Sequence, residues 1–269
     1  MRWTRFLHQG RPVLGRVEGD LEGELDGGVV HVHEGDLFAD PRPTGQSLPA
    51  AGLEWLAPCA PRQIVGLWNN FRGAAARNGW AAPAEPLYFL KSPHCVAGHG
   101  ATIPAAAPAV GRVCYEGELA VVVGRRAHRL AGVEEARACI FGHACANDVT
   151  ALELLSRDPS FPQWTRAKSL PGFGALGPWI DTAFDPAGAT LRTRVGGRER
   201  QNFPLDDMFF GPAELVARIS QDLVLEPGDV ILCGTSLGAL PMKPCSVVEV
   251  EIGGLGTLRN VYGGEAAPG

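Results

Sequence analysis

Glu116 and Glu118, in Tyr115-Glu116-Gly117-Glu118-Leu119-Ala120-Val121-Val122-Val123-Gly124, are the residues whose type and spacing point most directly to chemistry. The run that follows them is apolar and β-branched, which predicts a buried strand. Residues two apart on a strand project to one face, so the two carboxylates point together at the mouth of a hydrophobic sheet. Like charges held that close repel, and the arrangement calls for a shared proton or a cation between them. A divalent metal is the stronger reading. Asp148, in Gly142-His143-Ala144-Cys145-Ala146-Asn147-Asp148, ends another apolar strand ahead of a helix and offers a third oxygen. Three hard donors with no His/Cys ligand set nearby favour Mg²⁺, Mn²⁺ or Ca²⁺ over zinc. On the residues alone a plainer alternative also stands, with Glu116 a turn charge, Glu118 an edge-strand charge and Asp148 a helix N-cap.

Two further positions fit an anionic ligand beside such a site. Lys168, in Trp164-Thr165-Arg166-Ala167-Lys168-Ser169, can balance carboxylate charge or hold a substrate oxygen, although a lone lysine is more often a solvated surface charge. Gly234-Thr235-Ser236-Leu237-Gly238 directly follows the strand Val230-Ile231-Leu232-Cys233, so Gly234 and Thr235 can turn backbone N–H groups and a hydroxyl towards a ligand. Most strand–Gly–Thr turns simply turn.

The elements that must position these groups are mainly strands. Strand-like runs recur at Gln63–Leu67, Pro86–Leu90, Gly117–Val123, Phe141–Ala146, Leu191–Val195, Asp229–Cys233 and Ser246–Ile252. Helices are predicted over Pro212–Ser220, over Val133–Ala138 and after Asp148 through Leu152, Leu154 and Leu155. With 35 glycines and 22 prolines, the chain suits many turns and short strands. The alternation is too irregular for a βαβ repeat, so the expected fold class is β-rich α+β. Residues 1–60 read as a small N-terminal β domain, with strands at Arg11–Val17 and Gly28–His33 separated by acidic and glycine turns. Asp40-Pro41-Arg42-Pro43-Thr44-Gly45 is expected to break regular structure. Ala57–Pro61 links this unit to a catalytic domain over residues 61–269.

Composition narrows the function classes. The net charge of −5, with no Lys/Arg-rich run, argues against nucleic-acid binding. No stretch is long and apolar enough to cross a bilayer, and Met1–Arg5 lacks the apolar core of a signal peptide. Seven scattered cysteines without a CxxC pair suit a reduced, cytoplasmic protein and leave a zinc hydrolase without its ligands.

The order of these segments resembles the fumarylacetoacetate hydrolase (FAH) family. The resemblance rests on Val65-Gly66-Leu67, Tyr88-Phe89-Leu90-Lys91-Ser92, the Tyr115–Gly124 run, Asn147-Asp148-Val149-Thr150, Ala167-Lys168-Ser169 and Leu176-Gly177-Pro178-Trp179. Leu225–Thr235 and Gly253–Asn260 complete it, so that it covers about residues 63–262. It implies a mixed β-roll catalytic domain, usually in a homodimer, with Mg²⁺ or Mn²⁺ on Glu116, Glu118 and Asp148 and with Lys168 and Thr235 lining the substrate site. The implied substrate is a small 2-oxo acid with a second carbonyl or enol, such as an acylpyruvate or an intermediate of aromatic degradation, handled through a metal-held enolate.

Departures from the family pattern bear on the reaction. Many relatives carry Asn-Tyr-x-x-His-x-x-Glu after the first strand, and that His–Glu pair activates water. Here Asn70-Phe71 places Ala74 and Arg77 at those positions, while starting from Asn69 gives Gly73 and Ala76. The arginine usually four residues after the metal aspartate is Leu152. Losing the dyad moves weight from hydrolytic C–C cleavage towards decarboxylation and keto–enol or double-bond isomerisation, which need mainly a stabilised enolate and one proton donor. His94 and Ser92, on the Lys91-Ser92-Pro93-His94 loop, are candidates for base and substrate contact. Arg72 is a candidate clamp for a distal carboxylate. The alternative from another class is a non-catalytic metal- and ligand-binding relative without the dyad.

Overall fold

The computed structural model describes residues 1–19 and 27–264. Strand outweighs helix, 42% to 16%, in an α+β arrangement with a small N-terminal domain. Among the described residues its spine is a twelve-stranded sheet that runs through Gly174–Asp181, Ile140–Asp148, Gly117–Val123, Val230–Leu232 and Ile64–Trp68 to Leu87–Lys91 at its edge, in that order. Gly117–Val123 is paired along both edges, with Ile140–Asp148 and Val230–Leu232, each antiparallel, and it is buried at every residue. A strand covered on both faces reads as a continuous apolar run. That is the Leu119–Val123 sequence.

A second sheet of five strands, built on the Thr190–Val195/Arg198–Pro204 hairpin and on Ser246–Ile252 and Gly256–Tyr262, packs over the central strands. Helices Val133–Cys139 and Pro212–Ile219 pack together at one end of the central strands. The short helix Trp164–Lys168 lies on Leu87–Lys91 with Trp164 stacked on Phe89, ring centroids 5.0 Å apart.

The N-terminal strands Arg2–His8, Arg11–Glu18, Val29–Glu34 and Arg42–Pro49 extend the main sheet through the pairs Arg2↔Asp181 and Trp3↔Ile180. They also keep a small core of their own around Phe6, Val17, Val30, Val32 and Trp55, closed by Trp179. The expected acidic and glycine turn between Arg11–Glu18 and Val29–Glu34 falls largely on residues 20–26, outside the described residues. The break expected at Asp40–Gly45 is corrected: Arg42–Pro49 is a strand. It is the outermost strand of its sheet, where Pro43 and Pro49 need no ladder N–H on the open side. Arg2–His8, Gly174–Asp181, Arg198–Pro204 and Gly256–Tyr262 are strands that the period-2 pattern does not reveal, since glycine, proline or charged residues interrupt each one. The Ala57–Pro61 link has no regular structure, yet Ala57, Cys59 and Pro61 are buried.

Candidate active site

The Glu-Gly-Glu turn sits where Gly117–Val123 leaves the sheet. The ladder continues one residue further, because the Asp148 N–H donates to the Glu116 carbonyl at 2.9 Å. This places Asp148, the last residue of the neighbouring strand, beside both glutamates. One oxygen from each of Glu116, Glu118 and Asp148 lies within 4.8 Å of the others. Glu118 and Asp148 are fully buried, whereas the Glu116 side chain keeps 17% exposure and marks the side from which a ligand can approach.

Gly117 is glycine because of what faces it. A Cβ there would stand 2.2 Å from Thr193 Oγ1 and 3.1 Å from Gln201 Oε1, both on the hairpin of the second sheet. The close approach of the two sheets requires the missing side chain.

Two ammonium groups enter this acidic cluster from separate elements. Lys168 Nζ, at the end of its short helix, lies 2.8 Å from Glu116 Oε2 and 2.7 Å from Asp148 Oδ2. Lys91 Nζ, at the end of Leu87–Lys91, donates to Asp148 Oδ1, to the Lys168 carbonyl and to the Phe173 carbonyl. Lys91 is therefore engaged on every proton, with a wholly buried side chain. Thr150 donates its hydroxyl to Glu116 Oε1, and Asn147 Oδ1 accepts the Glu116 N–H at 2.9 Å.

The protonation preferences differ within the cluster. Burial pushes the Asp148 carboxyl up, but Lys168 and Lys91 outweigh it and hold the group below the usual range. Burial also raises Glu116, and here Lys168 only partly offsets it. Glu118 is raised furthest, by burial and then by the Asp148 charge. Its Oε2 accepts the Gly234 N–H at 2.6 Å, while its buried Oε1 has no hydrogen-bond partner. Burial disfavours the Lys168 ammonium, yet Asp148, Glu116 and Glu118 together raise its affinity for the proton.

That donor set fits a hard divalent cation. Glu118 Oε1 is a buried acceptor in need of a positive partner, and all three donors are carboxylate oxygens. Three carboxylates against two ammonium groups leave one negative charge when all are ionised. A divalent ion would turn that to one positive charge, which suits an anionic ligand.

The other candidate residues are placed less uniformly. Thr235 adjoins the cluster, donating its hydroxyl to the Gly117 carbonyl at 2.8 Å, and the Gly234 N–H is likewise engaged on Glu118. Neither group has a proton free for a ligand. Arg72 opens the helix Arg72–Asn78, donates to the Met208 carbonyl and lies over the Phe209 ring, 5.0 Å from its centroid. Gly73, Ala74, Ala76 and Arg77, the positions of the absent dyad, lie on that same helix. Ser92 donates its N–H to Ser169 Oγ and caps the short turn that carries His94. The exposed His94 lines a groove with Arg5, Cys59 and Arg62 instead of joining the carboxylates. Lys91, Thr150 and Gln201 are the neighbours that sequence reasoning did not single out.

Comparison with known proteins shows the family. Residues 63–262 match the family model "Fumarylacetoacetate (FAA) hydrolase C-terminal". The chain belongs to the fumarylacetoacetate hydrolase family. Residues 1–58 match a second model, "Rv2993c-like, N-terminal". Oxaloacetate tautomerase YisK of Bacillus subtilis is 32% identical over 229 residues, covering 81% of this chain and 75% of that protein. The 4-hydroxyphenylacetate degradation bifunctional isomerase/decarboxylase of Salmonella dublin is 33% identical over 200 residues, or 73% of this chain and 46% of that one. The crystal structure of 2-hydroxyhepta-2,4-diene-1,7-dioate isomerase from Mycobacterium marinum superposes with a TM-score of 0.87 at 32% identity, covering 99% of this chain and 100% of that one. With relatives of these kinds across nearly its whole length, this FAH-family chain is an enzyme.

Proposed function

We propose that this protein isomerises a small 2-oxo acid with a second carbonyl or enol, by keto–enol or double-bond shift, with Mg²⁺ or Mn²⁺ held by Glu116, Glu118 and Asp148. The observation that carries the reading is the buried cluster of three carboxylates and two lysines, with one glutamate oxygen unpartnered. A cation bound there supplies a Lewis acid that stabilises negative charge developing on a carbonyl oxygen. Lys168, whose ammonium now contacts two of the three carboxylates, would hold an anionic substrate oxygen once those carboxylates turn to the cation. Lys91 keeps Asp148 ionised and oriented. The fold excludes bulk water from Glu118 and Asp148, which strengthens every charge interaction between them.

Isomerisation is preferred to hydrolysis because the helix Arg72–Asn78 offers glycine, alanine and arginine where a water-activating pair would stand. Named activities of the relatives, tautomerase and isomerase/decarboxylase, support the same class of small acid and keep decarboxylation as the second reading. The homodimer is part of the proposal and is checked by light scattering.

The test is turnover of oxaloacetate, acetylpyruvate and fumarylpyruvate with Mg²⁺ or Mn²⁺. Enol absorbance, released CO₂ and cleaved acid are followed separately. Loss of enol absorbance without CO₂ or a cleaved acid is expected, and chelation should abolish it. Asp148→Ala and Glu118→Gln should do the same. Full turnover by either variant in metal-free buffer would sink the proposal, and acid release as the main product would move it to hydrolysis.

A further inference from the structure

Gln201 is buried to 1% exposure on the Arg198–Pro204 strand, paired across the hairpin with Thr193. It belongs to the second sheet, yet its amide reaches both loops of the site. A backbone N–H can only donate, so the atom facing the Gly117 N–H at 3.0 Å is the amide oxygen Oε1. That fixes the amide's orientation. Nε2 then points to Thr235 Oγ1 at 2.9 Å, with the carbonyls of Ser236 and Leu237 each at 3.4 Å. A carbonyl can only accept, so the Thr235 hydroxyl gives its single proton to the Gly117 oxygen at 2.8 Å. The three bonds close a ring, from the Gly117 N–H to Gln201, from Gln201 to Thr235, and from Thr235 back to the Gly117 carbonyl.

We propose that Gln201 is a positioning residue, which holds the Glu-Gly-Glu turn and the Gly234–Thr235 loop in one fixed register and so fixes the carboxylates of the cluster. Gly117 stands between the two glutamates, and Gly234 donates to Glu118. A shift of either loop therefore moves a carboxylate of the cluster. The inference rests on the proposed function only in taking the cluster as the reacting centre.

The variants that test it are Gln201→Leu, Thr235→Val and the pair together. Gln201→Leu should lower kcat/KM by roughly 10- to 100-fold, the scale of a small misplacement of catalytic groups. The double variant should be no worse than the poorer single one, because both break the same ring. Thr235→Ser, which keeps the hydroxyl, should restore most of the activity that Thr235→Val loses. One readout needs neither substrate nor metal: Gly117 amide exchange should accelerate in Gln201→Leu, while amides within Leu119–Val123 stay protected. Unchanged Gly117 exchange would overturn the ring. Additive losses in the double variant, or wild-type kcat/KM with only a lower melting temperature, would overturn the positioning role. If wild type turns over none of the acids, the proposed function fails on its own, and Mn²⁺ affinity then reports on Gln201, with weaker binding in Gln201→Leu expected and unchanged binding overturning its role.

Discussion

The strand Ile140–Asp148 carries a buried titratable residue towards each end, and the two are treated in opposite ways. Asp148 meets Lys91 and Lys168 and is held ionised below the usual carboxylate range, against the pull of burial. His143 packs edge-on to Phe184, ring centroids 5.9 Å apart, with the Phe184 backbone giving its charged form some support but no well-formed hydrogen bond at either ring nitrogen. Burial drives its pKa down to about 4, so it stays neutral. The histidine end opens on a groove of about 620 Å³ lined also by Arg137, Phe184, Asp206 and Glu214. Burial alone therefore does not distinguish the two ends. Opposite charges brought together from separate elements do, because they let a carboxylate remain charged out of water.

The comparison breaks most severely if one of those charges is removed. Lys91→Met leaves the wholly buried Asp148 with one ammonium instead of two. The expected loss of stability is about 3–5 kcal/mol, the scale for stripping one partner from a buried pair. Denaturant unfolding without added metal measures it, and a loss under 1 kcal/mol would show that Lys168 alone suffices.

At the other end, His143→Leu should change how stability depends on pH. The folded-state pKa of His143 lies below its ordinary value of 6.5, so the unfolded chain binds more protons between pH 6.5 and about 4. Its contribution is present above pH 6.5 and is lost as the pH falls through that window. Wild type should lose up to about 3 kcal/mol more than His143→Leu on going from pH 7 to pH 4. The carboxylate cluster titrates in both proteins and cancels in the difference. Parallel pH curves would mean that His143 finds a partner when charged.

Sequence made some of this contrast readable. Two glutamates at the head of an apolar run, and an aspartate at the end of another, are unusual enough to flag the cluster and two of its strands. Its supporting groups were hidden for a physical reason: Lys91 is 57 residues from Asp148, and Gln201 is 84 from Gly117, so only the folded sheets bring them together. Lys91 did leave a trace, standing in phase with the buried Phe89 on one strand. Gly117 was legible as part of a motif but not as a contact. Gly117→Ala sets a Cβ 2.2 Å from Thr193 Oγ1 and should cost about 1–3 kcal/mol of stability by overpacking. Adding Thr193→Ala removes the nearest atom and should recover part of that loss. No recovery would place the strain on Gln201 or Leu191, the next nearest neighbours.

The smallest effect is expected at His94, and it sharpens the comparison because sequence alone made this histidine a candidate base. His94 is exposed, and its backbone N–H donates to Ser92 Oγ. Its ring shares a groove with Arg5, Cys59 and Arg62, beside the N-terminal strands. The charges acting on Asp148 and Lys168 come from each other, from the glutamates and from Lys91. A general base must reach the proton it removes within hydrogen-bond distance or through one water, and losing such a base costs about 10²–10⁴-fold. The groove that His94 lines holds none of the three carboxylates, so His94→Ala is expected to leave kcat within about twofold of wild type, far below the loss of a base. Steady-state turnover of the best acid from the panel decides it. A fall of 100-fold or more would mean that the Ser92–Cys95 turn rearranges when substrate binds. His94 would then become the proton carrier that the helix Arg72–Asn78 does not supply.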